Sequence, residues 1–155
     1  MIDPIIVSTR SRSIHIAAPP RAVFEFATTV GNWTKYHPGN TGITGLADKP
    51  APLGTSFIEH ARLGDNLPDL DLEWIVKIVE PGRRWVVELG ASPWNIDVDI
   101  NYEFESEEGG TRFTRWTKFS GTAEDLAAPA ADMEGNQVQA DDQYLENLKV
   151  AIESR

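Results

Sequence analysis

The chain has 155 residues, of which 24 are acidic and 14 basic, so its formal net charge is -10. A negative charge of this size repels phosphate backbones, which excludes nucleic acid as an expected partner. The hydrophobic fraction of 41% is ordinary for a globular domain, and no apolar run approaches the ~20 residues that cross a bilayer.

The length and the N-terminal sequence set the expected domain count and compartment. A chain of this size removes roughly 70% of its unfolded surface from water in one core, so we expect a single domain over residues 1–155. There is no cysteine, which excludes a disulfide. The first residues lack the basic start and apolar core of a secretion signal. We therefore expect a cytoplasmic protein without stable membrane insertion.

The N-terminal part is predicted to form one strand followed by two short helices. Residues 5–17 are extended in character and stop at Pro19-Pro20, where proline interrupts a strand. The spacing of apolar residues over 20–30 is helical, with proline in the first turn. A second short helix is predicted over 32–37, before Pro38.

Six further strands are predicted in the middle of the chain, separated by glycine and proline. They cover residues 41–46, 54–62, 70–80, 84–90, 95–106 and 111–120. Alternation is clearest over 95–105, where apolar residues occupy one face and polar residues the other. Short turns at 80–83 and 107–110 predict that the flanking strands pair as antiparallel neighbours.

The last third is predicted to end in a long amphipathic helix. Residues 121–136 are rich in Ala, Asp and Pro and follow no single pattern. Over 137–154 the apolar positions recur every three or four residues. We expect Val138, Leu145, Leu148 and Ile152 to face inward and Asp141, Glu146, Lys149 and Glu153 to lie mostly outside.

The order of elements predicts an α+β fold of the helix-grip type. A seven-stranded curved antiparallel sheet would wrap around the long C-terminal helix, with two short helices between strands 1 and 2. One helix must cover the whole concave face. The sheet can therefore curve around this helix, but the helix alone does not fill the space on the concave side.

Several segments resemble the START-like, or SRPBCC, superfamily of polyketide cyclases and lipid-transport proteins. They are the strand and A-P-P-R-A-V-F opening at 14–24, the W-x-x-x-x-P segment at 33–38, the G-T-x-F strand start at 54–57, the V-x-x-x-x-P-x-R hairpin at 76–85, the G-T-R strand at 110–112 and the helical tail at 145–153. The resemblance covers nearly the whole chain. It implies a cavity that holds a small hydrophobic ligand and, in some members, supports cyclisation or dehydration.

Other chemistries have no support in the sequence. The three histidines, His15, His37 and His60, stand on different elements without the spacing of a metal site, so no metal or cofactor is expected. No G-x-S-x-G elbow and no P-loop motif occurs. General acid–base chemistry in an apolar cavity remains, because burial shifts the pKa of a carboxylate or a histidine.

Strand alternation selects the polar residues that such a cavity would contain. If Phe57 faces inward, so does Glu59, and if Phe113 faces inward, so does Arg115. The opposite parity in the last strand would place Trp116 inside. Because unpaired buried charges are costly, Glu59 and Arg115 are predicted to bind each other or the polar head of a ligand.

Twelve residues are candidates for ligand binding, and their roles are left open. Trp33, Tyr36 and His37 can gate the cavity or plug its end, and the aromatic residues on the strands can contact ligand or form core. The set is Trp33, Tyr36, His37, Phe57, Glu59, Trp74, Trp85, Tyr102, Phe113, Arg115, Leu145 and Leu148. The leading interpretation is binding or transport of a lipid, polyketide or aromatic metabolite. The alternatives are a polyketide cyclase or dehydratase, with Glu59, Arg115 or Tyr102 moving protons, and an interaction module whose cavity is filled.

Overall fold

A computed structural model describes residues 4–62, 69–92, 94–127 and 136–155, and for 136–140 it describes the backbone only. The strands are β1 Ile6–Ile16, β2 Asn40–Thr44, β3 Ser56–Ala61, β4 Leu70–Glu80, β5 Arg84–Leu89, β6 Asp97–Glu107 and β7 Gly110–Gly121. The helices are α1 Pro20–Thr28, α2 Trp33–Tyr36 and the long α3 Asn136–Glu153, with a 3-10 turn at Val30–Asn32 before α2. A further helical segment spans 123–127.

The strands form one antiparallel sheet in the order β1-β7-β6-β5-β4-β3-β2. The two predicted turns join β4 to β5 and β6 to β7. In the first, Arg83 N–H donates to Glu80 O at 2.9 Å, and Gly82 takes a φ of 74°, a value that glycine adopts without strain. Pairing of β1 with β7 places the first and last strands side by side and leaves β1 and β2 as the sheet edges.

The helices after β1 pack on the sheet because their apolar residues recur at helical spacing. Helix α1 begins with proline, whose fixed φ suits the first turn of a helix, and buries Val23, Phe24 and Ala27. Helix α2 buries Trp33 and Tyr36. Both helices also contact α3, so they close one end of the space that α3 covers.

Helix α3 lies on the concave face of the sheet and is tied to the N-terminal elements. Lys149 Nζ donates to His15 O at 2.8 Å, and Asn147 Nδ2 donates to Tyr36 O at 3.0 Å. Its buried side chains include Tyr144, Leu145, Leu148 and Ile152. The side chain of Val138, predicted to face inward, lies outside the described part of the chain. No helix in the described residues is long and apolar enough to cross a membrane.

The predicted elements agree with the structure, and no boundary differs by more than two residues. Of the unassigned segment 121–136, residues 123–127 are helical and 128–135 lie outside the described residues. The pairing of β7 with β6 shows which alternate residues of β7 face the concave side. Arg115 pairs with Tyr102 and Thr117 with Ile100, and all four lie on that side. Trp116 pairs with Asn101 and Ser11 on the convex side, so the alternative that placed Trp116 inside is wrong.

Candidate functional site

Glu59 lies on β3 beneath α2 and is almost fully buried, with 3% of its surface exposed. Two N–H groups hold its carboxylate. Asn40 Nδ2 donates to Oε2 at 2.9 Å, and Trp74 Nε1 donates to Oε1 at 3.0 Å. The hydroxyl of Thr34 donates to Asn40 Oδ1 at 2.9 Å, which turns the amide nitrogen of Asn40 toward Glu59. The carboxylate is thus fixed in one orientation.

His37, directly after α2, approaches the same carboxylate. Its Nδ1 lies 2.9 Å from Pro38 O, and its Nε2 lies 3.6 Å from Glu59 Oε2. The ring packs edge to face against Tyr144, with ring centres 4.9 Å apart. Burial lowers the pKa of His37, Glu59 raises it and the positive charge of Arg115 lowers it, so that the net shift is downward.

Arg115 also contacts Tyr144 and binds α3. Its guanidinium carbon is 4.7 Å from the centre of the Tyr144 ring, a cation–π distance, and Nη1 donates to Asp141 Oδ1 at 3.0 Å. Asp141 also accepts a hydrogen bond from Arg10 of β1. The Arg115 Nε is buried and has no hydrogen-bond partner in the described part of the chain. Despite its burial, the pKa of Arg115 is raised by Tyr102, Tyr144, Asp141 and Glu59, so the side chain stays charged.

Three buried tyrosines connect these groups, and they are all the tyrosines of the protein. The hydroxyls of Tyr102 and Tyr144 share a hydrogen bond across the gap between β6 and α3. The Tyr36 hydroxyl donates to Ala27 O at 3.4 Å, and its ring lies 5.3 Å from that of Tyr144. Burial raises the pKa of each phenol well above 10.0, so all three stay protonated at neutral pH.

Beneath α1 and α3 the concave face is packed with aromatic rings. We call this region the aromatic end and define it by Trp33, Trp85, Tyr102, Phe104 and Phe113. Neighbouring rings lie 5.2 to 6.1 Å apart, from Trp33 to Trp85, Trp85 to Tyr102, Tyr102 to Phe113 and Phe113 to Phe104. Trp85, Tyr102 and Phe113 have 0% of their surface exposed. A side chain that lined a void large enough for a water molecule would have surface exposed to that void. Because these three side chains have no exposed surface, no void of that size lies against them.

Residues with accessible surface lie toward the opposite ends of β6 and β7 and on β4. We call this region the open end and define it by Leu70, Leu72, Val98 and Phe119. Leu72 and Val98 retain 6% and 5% exposure, and Leu70 and Phe119 are only partly buried. The pairing of Val98 with Phe119 places both on the concave face. Glu59 pairs with Leu72, so the Glu59 carboxylate lies at the border of the open end.

The sequence matches the model of one protein family over residues 9–153, and that family is described as polyketide cyclase / dehydrase and lipid transport. The match covers nearly the whole chain. The chain belongs to this family. No curated protein matches the sequence.

Solved structures of low sequence identity show the fold of this family member. The crystal structure of Ara h 8.0201 is 14% identical with a TM-score of 0.71, and the alignment covers 97% of this chain and 100% of that one. The Zhui aromatase/cyclase from a Streptomyces species is 13% identical with a TM-score of 0.73, covering 97% and 96%. The di-domain aromatase/cyclase BexL is 15% identical with a TM-score of 0.73, covering 96% of this chain and 51% of that one.

The structure places the twelve predicted ligand-binding residues of this polyketide cyclase/dehydrase family member in two polar clusters and the core. Glu59, His37 and Trp74 come together in one cluster, and Arg115 contacts Tyr144 beside Tyr102. The remaining predicted residues, Trp33, Tyr36, Phe57, Trp85, Phe113, Leu145 and Leu148, are buried in the core. Contact of any of the twelve with ligand stays a prediction.

Some polar partners were not predicted. Asp141 was expected outside, but only 13% of its side chain is exposed, because Arg10 and Arg115 bind it. That expectation is wrong, since helical periodicity assigns charged residues to solvent without regard to cations on distant strands. Asn40 follows Pro38-Gly39 and looks like a turn residue in the sequence. Glu59 and Arg115 were expected to bind each other or a ligand head, and each instead has protein partners of its own.

The three histidines each pair with a different carboxylate. His15 contacts Glu107 and His60 contacts Asp71, both near the outer surface, whereas the His37–Glu59 pair is interior. Within the described ranges, no group of three or more His, Cys, Asp or Glu side chains is placed to hold a metal ion.

Proposed function

We propose that this protein binds a small hydrophobic molecule with one polar end, a lipid, polyketide or aromatic metabolite, on its concave face. The observation that carries the proposal is the buried Arg115 Nε, which has no partner in the described residues. A buried N–H without an acceptor costs about 1–3 kcal/mol. A carbonyl or carboxylate oxygen of a ligand would satisfy it, while apolar neighbours would contact the rest of the molecule.

The open end is the part of the interior that suits this ligand. The aromatic end is packed, because Trp85, Tyr102 and Phe113 have no exposed surface. The partly buried Leu70 and Phe119 supply apolar contact at the opposite end. A ligand lying there would extend its polar group toward Arg115. Contact with the aromatic end would require its rings to separate.

A second candidate is an enzyme of the cyclase or dehydratase type, acting in the same interior. Of the three residues predicted to move protons, Arg115 has a raised pKa and stays charged, and Tyr102 has a pKa well above 10.0. Neither is therefore a base at neutral pH. The observation that favours an enzyme is the remaining residue, Glu59, which lies beside His37 in a nearly dry site.

Two fluorescent probes test the proposed binding. Anilinonaphthalene sulfonate carries an anion on an apolar ring system, and N-phenylnaphthylamine has similar rings without charge. Replacing Arg115 by Met should weaken sulfonate binding by about 1.5–3 kcal/mol, or roughly 10- to 150-fold in Kd, the range for a hydrogen bond to a charged group. Binding of the neutral probe should change little.

The matched control is Arg112→Met, because Arg112 lies on the same strand, faces outward and is 40% exposed beside Glu107. This variant should bind both probes as the parent does. If neither probe binds the parent, the interior is filled, and the interaction-module reading gains support. Native mass spectrometry of protein purified from its own host tests the same proposal independently, because a natural ligand would be purified together with the protein.

A further inference from the structure

The orientation of the His37 ring is set by its backbone partner. Pro38 O is a carbonyl oxygen and can only accept, so the Nδ1 that lies 2.9 Å from it carries the proton. In the neutral ring the lone pair is then on Nε2, which faces Glu59 Oε2 at 3.6 Å. A lone pair facing a carboxylate is repelled unless a proton lies between the two atoms.

The surroundings of Glu59 hold the carboxylate in place for that proton. The N–H groups of Asn40 and Trp74 each donate to a different oxygen of the carboxylate and occupy one lone pair on each. The side chains of Glu59 and His37 are 5% and 19% exposed, so the imidazole is the more accessible of the two. Glu59 pairs with Leu72 of the open end, so the pair borders the space proposed for the ligand.

We propose that His37 and Glu59 act as one general acid–base pair, which takes a proton from a ligand and holds it between Nε2 and Oε2. This inference rests on the proposed binding of a ligand in the interior. The substrate class is an apolar molecule with an acidic C–H or O–H, such as a carbon next to a carbonyl group. The pair can also return the proton to a leaving hydroxyl, as a dehydration requires.

The other charged and titratable groups that face His37 set the pH at which the pair is basic. They are Arg115 from β7 and Asp141 and Tyr144 from α3, in addition to Glu59 from β3. Arg115 lowers the pKa of His37, and Glu59 and Asp141 raise it. Because the net shift is downward from 6.5, the pair is free of its shared proton at neutral pH and is ready to act as a base.

The first test examines the pair without any ligand, by nitrogen NMR of the His37 ring during a pH titration. We expect Nδ1 to stay protonated throughout and Nε2 to titrate below the ordinary range of histidine. In Glu59→Gln the His37 pKa should fall further, because the charge that raises it is gone. A neutral ring protonated on Nε2 would overturn the proposal. An unchanged pKa of His37 in Glu59→Gln would also overturn it.

The second test uses a probe reaction, the opening of 5-nitrobenzisoxazole. The base removes the C3 proton, the C–H electron pair completes a nitrile, and the N–O bond breaks to leave a phenolate, so no co-reactant is needed. We expect the parent to saturate with probe and the rate to rise with pH through the His37 pKa. In Glu59→Gln and in His37→Asn, kcat should fall about 100-fold, the lower range for general acid–base catalysis, with KM nearly unchanged.

The matched control is His60→Gln, because His60 forms a similar pair with Asp71, with Nδ1 2.7 Å from Oδ1, on the outer surface. This variant should keep the parental rate. If the probe saturates the parent and both site variants react as fast as the parent, the acid–base pair is wrong and the binding function stands. If the probe neither binds, by tryptophan fluorescence, nor reacts, then the binding function fails for such molecules and the acid–base proposal fails with it. A thermal melt of each variant shows whether it is folded. If neither Glu59→Gln nor His37→Asn is folded, the protonation of the two His37 nitrogens in the parent, measured by NMR, tests the proposal.

Discussion

The aromatic end and the open end of the concave face share strands β6 and β7 but differ in how completely they are buried. On β7, Phe113 has no exposed surface and contacts Tyr102 and Phe104, whereas Phe119, six positions along on the same face, is only partly buried. The first region gains its energy from ring packing against α1 and α3. The second leaves apolar surface that a ligand can cover.

The polar side chains lie between these two regions. Glu59 faces the side of the open end, and Arg115 pairs with Tyr102 of the aromatic end. Their partners come from β2, from β4, from α3 and from His37 directly after α2, so ordering of the site depends on the packing of the helices that cover the aromatic end. In a domain arranged in this way, the aromatic end contributes mainly to stability and the open end mainly to ligand binding. Variants of the two ends should therefore differ in which property they change.

The largest effect is expected from removing α3 by truncation after Asn136. The deleted segment buries Tyr144, Leu145, Leu148 and Ile152. At about 1.5–3 kcal/mol for each large apolar side chain, their loss rivals the ~5–15 kcal/mol stability of a whole domain. The truncated chain should show no cooperative thermal transition by circular dichroism. A transition near that of the full chain would contradict the helix-grip arrangement.

The next effect compares the two phenylalanines of β7. Phe113→Ala should cost about 3–5 kcal/mol of unfolding free energy, because it leaves a cavity among closely packed rings. Phe119→Ala should cost clearly less, since Phe119 is already partly exposed. Urea titration of both variants measures the costs.

Probe binding should show the reverse order for the same two variants. Phe119→Ala should weaken N-phenylnaphthylamine binding, and Phe113→Ala, at a temperature where it is folded, should not. Equal stability costs in the two variants, or stronger loss of binding in Phe113→Ala, would remove the distinction between the two ends.

Much of this arrangement follows from sequence patterns. Alternation placed Glu59 and Arg115 on the concave side because β3 and β7 pair in regular register. The irregularities fall elsewhere, between Asn40 and Gly42 in β2 and between Val76 and Ile78 in β4. Parity read from the sequence holds only where no bulge intervenes.

What the sequence did not predict depends on distant pairing. The contact of Asp141 with Arg10 joins residues 131 positions apart, and nothing local to the helix indicates it. The two N–H donors on Glu59 also change an expected cost. Burial alone suggests that the near-isosteric Glu59→Gln is tolerated, but a glutamine there would point an NH₂ group at the N–H of Asn40 or Trp74. A loss of about 1–3 kcal/mol of stability is now expected.

The three tyrosines provide a smaller test of how dry the interior is. Their pKa values are raised by burial above 10.0, so the folded protein keeps its phenol protons at a pH where the unfolded chain loses them. Stability is therefore full below pH 10 and falls as the pH rises, by about 1.4 kcal/mol per pH unit for each tyrosine. Because Tyr36, Tyr102 and Tyr144 are all the tyrosines of the protein, the tyrosinate absorbance should appear only when the protein unfolds. A smooth ionisation near pH 10 in the folded protein would show that water reaches the site.

The smallest effect is expected at acid pH and concerns His37. The pKa of His37 is lowered from 6.5 by burial. Just below pH 6.5, His37 therefore binds a proton in the unfolded chain but stays neutral in the folded protein. Stability is therefore full above that pH and falls as the pH decreases, by at most about 1.4 kcal/mol per unit, until the folded pKa is reached. His37→Gln cannot bind this proton in either state, so its stability should fall less between pH 6.5 and 5 than that of the parent. His15 and His60 are present in both proteins, and their contributions cancel in the difference. Urea unfolding at a series of pH values measures this difference in the free energy of unfolding. If that free energy changes with pH in the same way for parent and variant, His37 titrates as it does in water. A buried His37 beside Glu59 is not expected to do so.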